Sequence, residues 1–126
     1  MGPKVLLVED EKNIILGVRT CLDAVGYRVH VEQNGEQALE YIQSRKPDLV
    51  LLDLMLPKVD GFEVLKRIKE DDSTKKIPVI VLTAKVSQED QKRAKDLGAD
   101  FYMTKPFRPQ ELWDRIKEFL PHGDLS

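Results

Sequence analysis

VLLDLMLPKVDGFEVL, residues 50–65, is an apolar run that stops at an acid, bends through a proline-containing segment, and resumes as apolar residues at helical spacing. Asp48–Leu52 reads as a strand covered on both faces, because nearly every position is apolar. Pro57 and Gly61 shape the following loop, and Asp60 with Glu63 offers a capping box for a helix that buries Val64, Leu65 and Ile68. The stretch is therefore a β-then-α unit with Asp53 at its joint. A carboxylate at the end of a buried strand is costly unless its charge has a partner. Asp53 thus marks a place toward which other polar groups should converge.

The same alternation extends in both directions. Further strands are expected at Lys4–Val8, Arg28–Glu32, Pro78–Leu82 and Asp100–Thr104. Between them run amphipathic segments. Ile14, Ile15, Val18, Cys21, Leu22 and Val25 form one stripe closed by Gly26, which places Cys21 in the core. Asn34 and Gln37 suggest a second capping box; Ser87 caps the fourth helix and Gly98 ends it; Pro109 opens the fifth, where Leu112, Trp113, Ile116 and Phe119 face inward. Five such units in sequence predict an α/β fold, a doubly wound parallel sheet with helices on both faces. The fourth helix offers only Ala94 and Leu97 to a core. A chain of 126 residues is one domain: residues 1–121 form it, and 122–126 are a tail or the start of a linker.

Composition excludes several classes. Hydrophobic residues make up 41% and charged ones 33%, with a net charge of -2 and both signs interspersed. A nucleic-acid-binding domain would show a basic stripe, so direct nucleic-acid binding is not expected. No apolar run reaches the roughly 18 residues of a membrane span, so no membrane partner is expected either. A single cysteine forbids an intrachain disulfide and agrees with a cytoplasmic location. His30 and His122 have no partner pattern and read as structural or solvated, and no histidine joins the acids, which argues against zinc.

In open α/β sheets the working crevice lies at the carboxyl ends of the strands. The first strand is followed by Glu9, Asp10 and Glu11; the third by Asp53; the fourth by Thr83 and Ala84; the fifth by Lys105 and Pro106. The second ends in Gln33-Asn34-Gly35, which reads as turn chemistry only. If the first, third, fourth and fifth strands are neighbours, Glu9, Asp10 and Asp53 crowd together. Two carboxylates about 4 Å apart repel by roughly 4 kcal/mol at an effective dielectric near 20. Either one binds a proton or a cation sits between them, and hard oxygen donors suit Mg²⁺. Lys105 adds a fixed positive charge and Thr83 a hydroxyl, so a phosphoryl group could be received there.

These segments, VEDE, DLMLPKVDG, LTA and YMTKPF in that order, resemble the receiver domain of two-component response regulators, the family that includes the chemotaxis receiver. The resemblance runs from about Lys4 to Leu120. It implies a flavodoxin-like (βα)5 fold with strand order 2-1-3-4-5. It implies that Asp53 is the phosphoacceptor, taking a phosphoryl group from a sensor histidine kinase or phosphotransfer protein. Glu9, Asp10, Asp53 and the backbone carbonyl of Met55 would hold Mg²⁺, with Mn²⁺ as an alternative, Asp10 binding directly and Glu9 through water. Thr83 and Lys105 would bind phosphoryl oxygens, across a cis Lys105–Pro106 bond. Thr83 and Tyr102 would switch the face made by the fourth helix, fifth strand and fifth helix, where an output domain or protein binds. The domain would assist its own phosphorylation and dephosphorylation and convert no separate substrate. Met55 and Lys85 stand where they could tune the lifetime of the modified state. Glu111 and Arg115 resemble part of the dimer face of receivers from winged-helix regulators, whereas Phe101 stands where those carry a second acid; taken alone, the two read as a local i, i+4 helix pair.

Three rivals fit less well. A flavodoxin-like FMN carrier needs a phosphate-cradling loop after the first strand, and EDEKN repels phosphate without a metal. A phosphatase with an aspartate nucleophile wants a second acid two residues on, where Met55 stands. A phosphorylation-independent interaction module has no need of this set of residues.

Overall fold

The computed structural model describes residues 2–85 and 87–120; the expected tail at 122–126 and His122 lie outside them. Five strands, β1 (Lys4–Val8), β2 (Arg28–Glu32), β3 (Leu49–Leu52), β4 (Val79–Thr83) and β5 (Phe101–Thr104), alternate with α1 (Lys12–Ala24), α2 (Gly35–Arg45), α3 (Gly61–Glu70), α4 (Gln88–Asp96) and α5 (Pro109–Ile116). All pairings are parallel, in the order β2-β1-β3-β4-β5. This is the doubly wound, flavodoxin-like sheet that the alternation and the resemblance predict.

Side chains on a strand alternate between the faces of its sheet. Leu6, Val8, Val50, Leu52, Val79 and Val81 are buried against α2, α3 and α4, with Ala38, Ile42, Leu65 and Ala94. Val5, Leu7, Leu49, Leu51, Ile80 and Leu82 are buried against α1 and α5, with Val18, Leu22, Leu112 and Ile116. The three central strands are thus covered on both sides, which is why they read as unbroken apolar runs.

Local details depart from the sequence expectations in four places. Asn34 caps α2 by accepting the Gln37 N–H at 2.9 Å, but the return bond goes from its own side-chain amide to Gln37 Oε1 rather than from its backbone. Asp60 accepts the Phe62 N–H, while Glu63 turns away to pair with Arg67 at 2.9 Å. The helix pair expected between Glu111 and Arg115 does not form, because Glu111 accepts the Arg108 N–H at the start of α5 and Arg115 pairs with Glu118. Cys21 is half-buried rather than a core residue, since its stripe position meets the Pro109 carbonyl of α5. Ser87 caps α4 as expected, and Gly26 and Gly98 hold positive φ after α1 and α4.

Candidate functional site

The register Val8↔Leu52 sets Glu9 beside Asp53, and the Asp53 N–H donates to the Val8 carbonyl at 3.0 Å. Alternation continued past the strand ends puts both carboxylates on the face shared with Leu7 and Leu51. Both are buried, Glu9 completely, whereas Asp10 is exposed. One oxygen from each of Glu9, Asp10 and Asp53 lies within 4.8 Å of the others. The three acids expected to crowd together do so.

Lys105 enters from the end of β5. Its ammonium lies 3.0 Å from Asp53 Oδ2, 2.9 Å from Glu9 Oε1 and 3.6 Å from Glu11 Oε2. The Asp53 contact is a hydrogen bond. The Glu9 contact is close but poorly aligned, and Glu9 Oε1 has no hydrogen-bond donor in good geometry. Glu9 Oε2 accepts the Glu11 N–H, and Asp53 Oδ1 accepts the Met55 N–H at 2.9 Å. Burial pushes the Glu9 carboxyl above its ordinary pKa; Lys105 opposes this and the Asp53 charge adds to it. Burial works against the Lys105 charge, but Glu9 and Asp53 outweigh it and the net shift is upward. One ammonium thus faces an excess of carboxylates. A buried carboxylate oxygen without an aligned donor, in a set of hard oxygen atoms, fits a divalent cation.

Thr83 is buried at the end of β4 and is tied to the site through the backbone, where Lys105 N–H donates to the Thr83 carbonyl at 2.8 Å. Its hydroxyl accepts the Lys85 N–H at 3.3 Å. Tyr102 lies beside Val81 in the register and packs into the core on the side of α4. Its hydroxyl donates to the Lys85 carbonyl at 2.8 Å, so it reaches the loop that follows Thr83. The Lys105–Pro106 bond is cis, as the resemblance implied.

The loop carrying Met55 is clamped by two glycines. A Cβ on Gly61 would stand 2.4 Å from Leu54 Cα and 2.6 Å from the Asp53 carbonyl; one on Gly35 would stand 2.4 Å from the Val59 carbonyl. Gly35 is therefore a close-packing residue for this loop, which its Asn-Gly turn signal conceals. Lys58 adopts φ 71, the left-handed turn that completes the bend. Met55 itself is exposed. Beside the site, Ile14, Gly17, Val18, Ala84, Phe107 and Pro109 contribute to an apolar cavity of about 480 Å³ that reaches Lys105.

Residues 5–117 match the family model of the response regulator receiver domain. The chain is 40% identical over 126 residues, all of its length, to the alkaline phosphatase synthesis transcriptional regulatory protein PhoP of Bacillus subtilis, and covers 52% of that protein. It spans about half the length of the curated relatives it matches. Among solved structures it is similar to the chemotaxis response regulator CheY4 of Vibrio cholerae, with 31% identity and a TM-score of 0.88 over 95% of this chain and 100% of that one. It is also similar to the receiver domain of a sensor histidine kinase from Pseudomonas aeruginosa, in which a magnesium ion is coordinated in the active site cleft, with 30% identity and a TM-score of 0.86 over 94% of this chain and 98% of that one.

Proposed function

We propose that this chain, which belongs to the response regulator receiver domain family, accepts a phosphoryl group on Asp53 from the phosphohistidine of a sensor histidine kinase or phosphotransfer protein. The observation that carries the reading is Lys105, whose ammonium reaches both Asp53 and buried Glu9 at the carboxyl edge of the sheet. A carboxylate oxygen of Asp53 attacks phosphorus, the donor's P–N bond breaks, and its electron pair stays on the imidazole nitrogen. Lys105 meets the negative charge brought by the phosphoryl oxygens, and the Thr83 hydroxyl donates to one of them. Glu9, Asp10, Asp53 and the Met55 carbonyl would hold Mg²⁺, or Mn²⁺ in its place. That ion supplies neutralisation of charge on the transferring oxygens. Attack by water on the acyl phosphate reverses the modification, so the domain assists its own dephosphorylation without turning over a separate substrate.

Phosphorylation adds about -1.5 to -2 charge. Thr83 moves toward it and alters the loop whose Lys85 carbonyl holds Tyr102. The α4–β5–α5 face then changes, and an output domain or protein reads it. The relatives' names as transcriptional regulators support an output module that reads this face; a cytoplasmic receiver that leaves nucleic-acid contact to that module is part of the same reading. Intact mass after treatment with acetyl phosphate and Mg²⁺ tests the proposal. The chain should gain one phosphoryl group and Asp53→Asn none; a gain in both removes Asp53 from its role.

A further inference from the structure

Few apolar side chains hold helix α4 to the body. Ala94 is its one buried residue, and Leu97, just past its end, is half-buried against the core. Two charged side chains add to these: Asp90 lies 3.9 Å from Lys85 Nζ, and the Arg93 guanidinium carbon lies 4.1 Å from the centroid of Phe62. The backbone of Phe62 is fixed to the acceptor segment. Its N–H donates to Asp60 Oδ1 at 2.9 Å, and the preceding Gly61 donates to the Leu54 carbonyl at 3.3 Å. Gly61 packs so closely on Leu54 and the Asp53 carbonyl that no side chain fits between them. Asp53, Gly61, Phe62 and Arg93 thus form a continuous packed path from the acceptor to α4. It shares no residue with the path through Thr83 and Tyr102.

We propose that the Arg93–Phe62 contact is a latch that positions α4, and that adjustment of the β3–α3 loop on loading of Asp53 reaches α4 through it. The second half rests on the reading of Asp53 as the acceptor. Cation–π attraction depends on where the cation stands over the ring, so a small displacement of Phe62 changes the hold on a helix that buries only one side chain. Helix α4 contributes Gln91, Lys92 and Lys95 to a groove of about 440 Å³ completed by Ala99, Phe101 and Tyr102 of the same face. The latch therefore shapes the surface that a partner meets.

Amide hydrogen exchange on the 126-residue chain tests this, with Arg93→Met keeping the aliphatic stem, Arg93→Lys keeping a cation and Phe62→Leu keeping an apolar core group. In the free chain Arg93→Met should speed exchange of the α4 amides about threefold, the size set by one exposed cation–π pair. The amides of α1 and the central strands should be unchanged. Phe62→Leu should act similarly on α4, the double variant should add nothing, and Arg93→Lys should recover part of the protection. On addition of Mg²⁺ and beryllofluoride, α4 exchange in the wild type should shift, and Arg93→Met should lose at least half of that shift at unchanged beryllofluoride affinity. Wild-type exchange in Arg93→Met, additive effects in the double variant, or a full shift on loading would overturn the latch. A wild type that ignores beryllofluoride would instead count against the acceptor reading, and the free-chain comparison would still decide the latch. If Phe62→Leu does not fold, the two Arg93 variants suffice.

Discussion

Two lysines, both nearly buried, sit at opposite ends of the sheet and are treated in opposite ways. Lys69 Nζ donates to the Lys75 carbonyl at 3.2 Å, the Ile77 carbonyl at 2.8 Å and Asp100 Oδ2 at 3.0 Å. Asp100 Oδ2 also accepts the Val79 N–H at 2.8 Å. Three donors of one ammonium meet three acceptors, only one of them charged, and the group is closed. Among the described residues Lys105 meets carboxylates only, of Asp53, Glu9 and Glu11, with Asp10 next to them. Its surroundings carry more negative charge than it can balance, and one buried oxygen there lacks an aligned donor. The side chains are alike in exposure, 15% for Lys69 and 13% for Lys105. The two lysines therefore differ in whether their partners are satisfied, not in their depth.

Replacing each lysine by methionine should separate the two most widely. Lys69→Met leaves Asp100 with only the Val79 N–H and two carbonyls without a donor. The loss should be about 2–3 kcal/mol in urea unfolding, below the 3–5 of a fully buried pair because Asp100 is one-third exposed. Mg²⁺ should restore none of it. Lys105→Met removes the cation between Glu9 and Asp53 and should cost about 1–2 kcal/mol in metal-free buffer, with more than half restored by millimolar Mg²⁺. Equal responses of the two variants to Mg²⁺ would erase the contrast.

Removing an acid gives a test of opposite sign. Asp53 experiences two like charges within 4.8 Å against one ammonium at 3.0 Å, together with the cost of its own burial. Each repulsion is worth roughly 3 kcal/mol at an effective dielectric near 20. Asp53→Asn should therefore stabilise the metal-free chain by about 1 kcal/mol and abolish most of its stabilisation by Mg²⁺. Asp100→Asn should destabilise. A destabilised Asp53→Asn variant in metal-free buffer would mean that the carboxyl edge is as well balanced as the other.

How far the sequence revealed this contrast depends on how local each signal is. The strands, the capping residues and the glycines after α1 and α4 are written in apolar runs and short spacings, and they hold with shifts of a residue at strand ends. The convergence at the carboxyl edge of the sheet was also legible, because a doubly wound sheet gathers the residues that follow each strand, and Glu9, Asp53 and Lys105 meet. Period-two alternation could have gone further and marked Glu9 and Asp53 as sharing a face. The closed end was not legible. Lys69 appears in sequence as one more lysine of an amphipathic helix, and its acceptors come from residues 75, 77 and 100. The Arg93–Phe62 contact was hidden similarly, since a guanidinium on a polar helix reads as solvated. The Glu111–Arg115 expectation failed because helix-start chemistry claimed the glutamate first.

The smallest effect concerns Asp71, which begins the same α3–β4 connection that Lys69 ties down. Its carboxylate accepts from the Gln43 side-chain amide at 2.7 Å and from the Ser73 N–H and hydroxyl, each at 2.8 Å. The Gln43 bond is the largest influence, the Ser73 bonds come next, and together they lower the pKa to about 2. A carboxyl whose folded pKa lies below its unfolded value adds stability that is complete above the unfolded pKa, near 3.9. That stability fades as pH falls and is gone once the folded value of about 2 has been passed. Asp71→Asn should accordingly flatten the fall in stability between about pH 4 and pH 2. At pH 7 it should show only a modest loss, because the group is solvent-exposed and its bonds compete with water. Urea titrations at several pH values read the difference directly. A variant that keeps the full wild-type slope below pH 4 would show that the three donors on Asp71 do not favour its charge, and that this end of the sheet is less completely satisfied than Lys69 suggests.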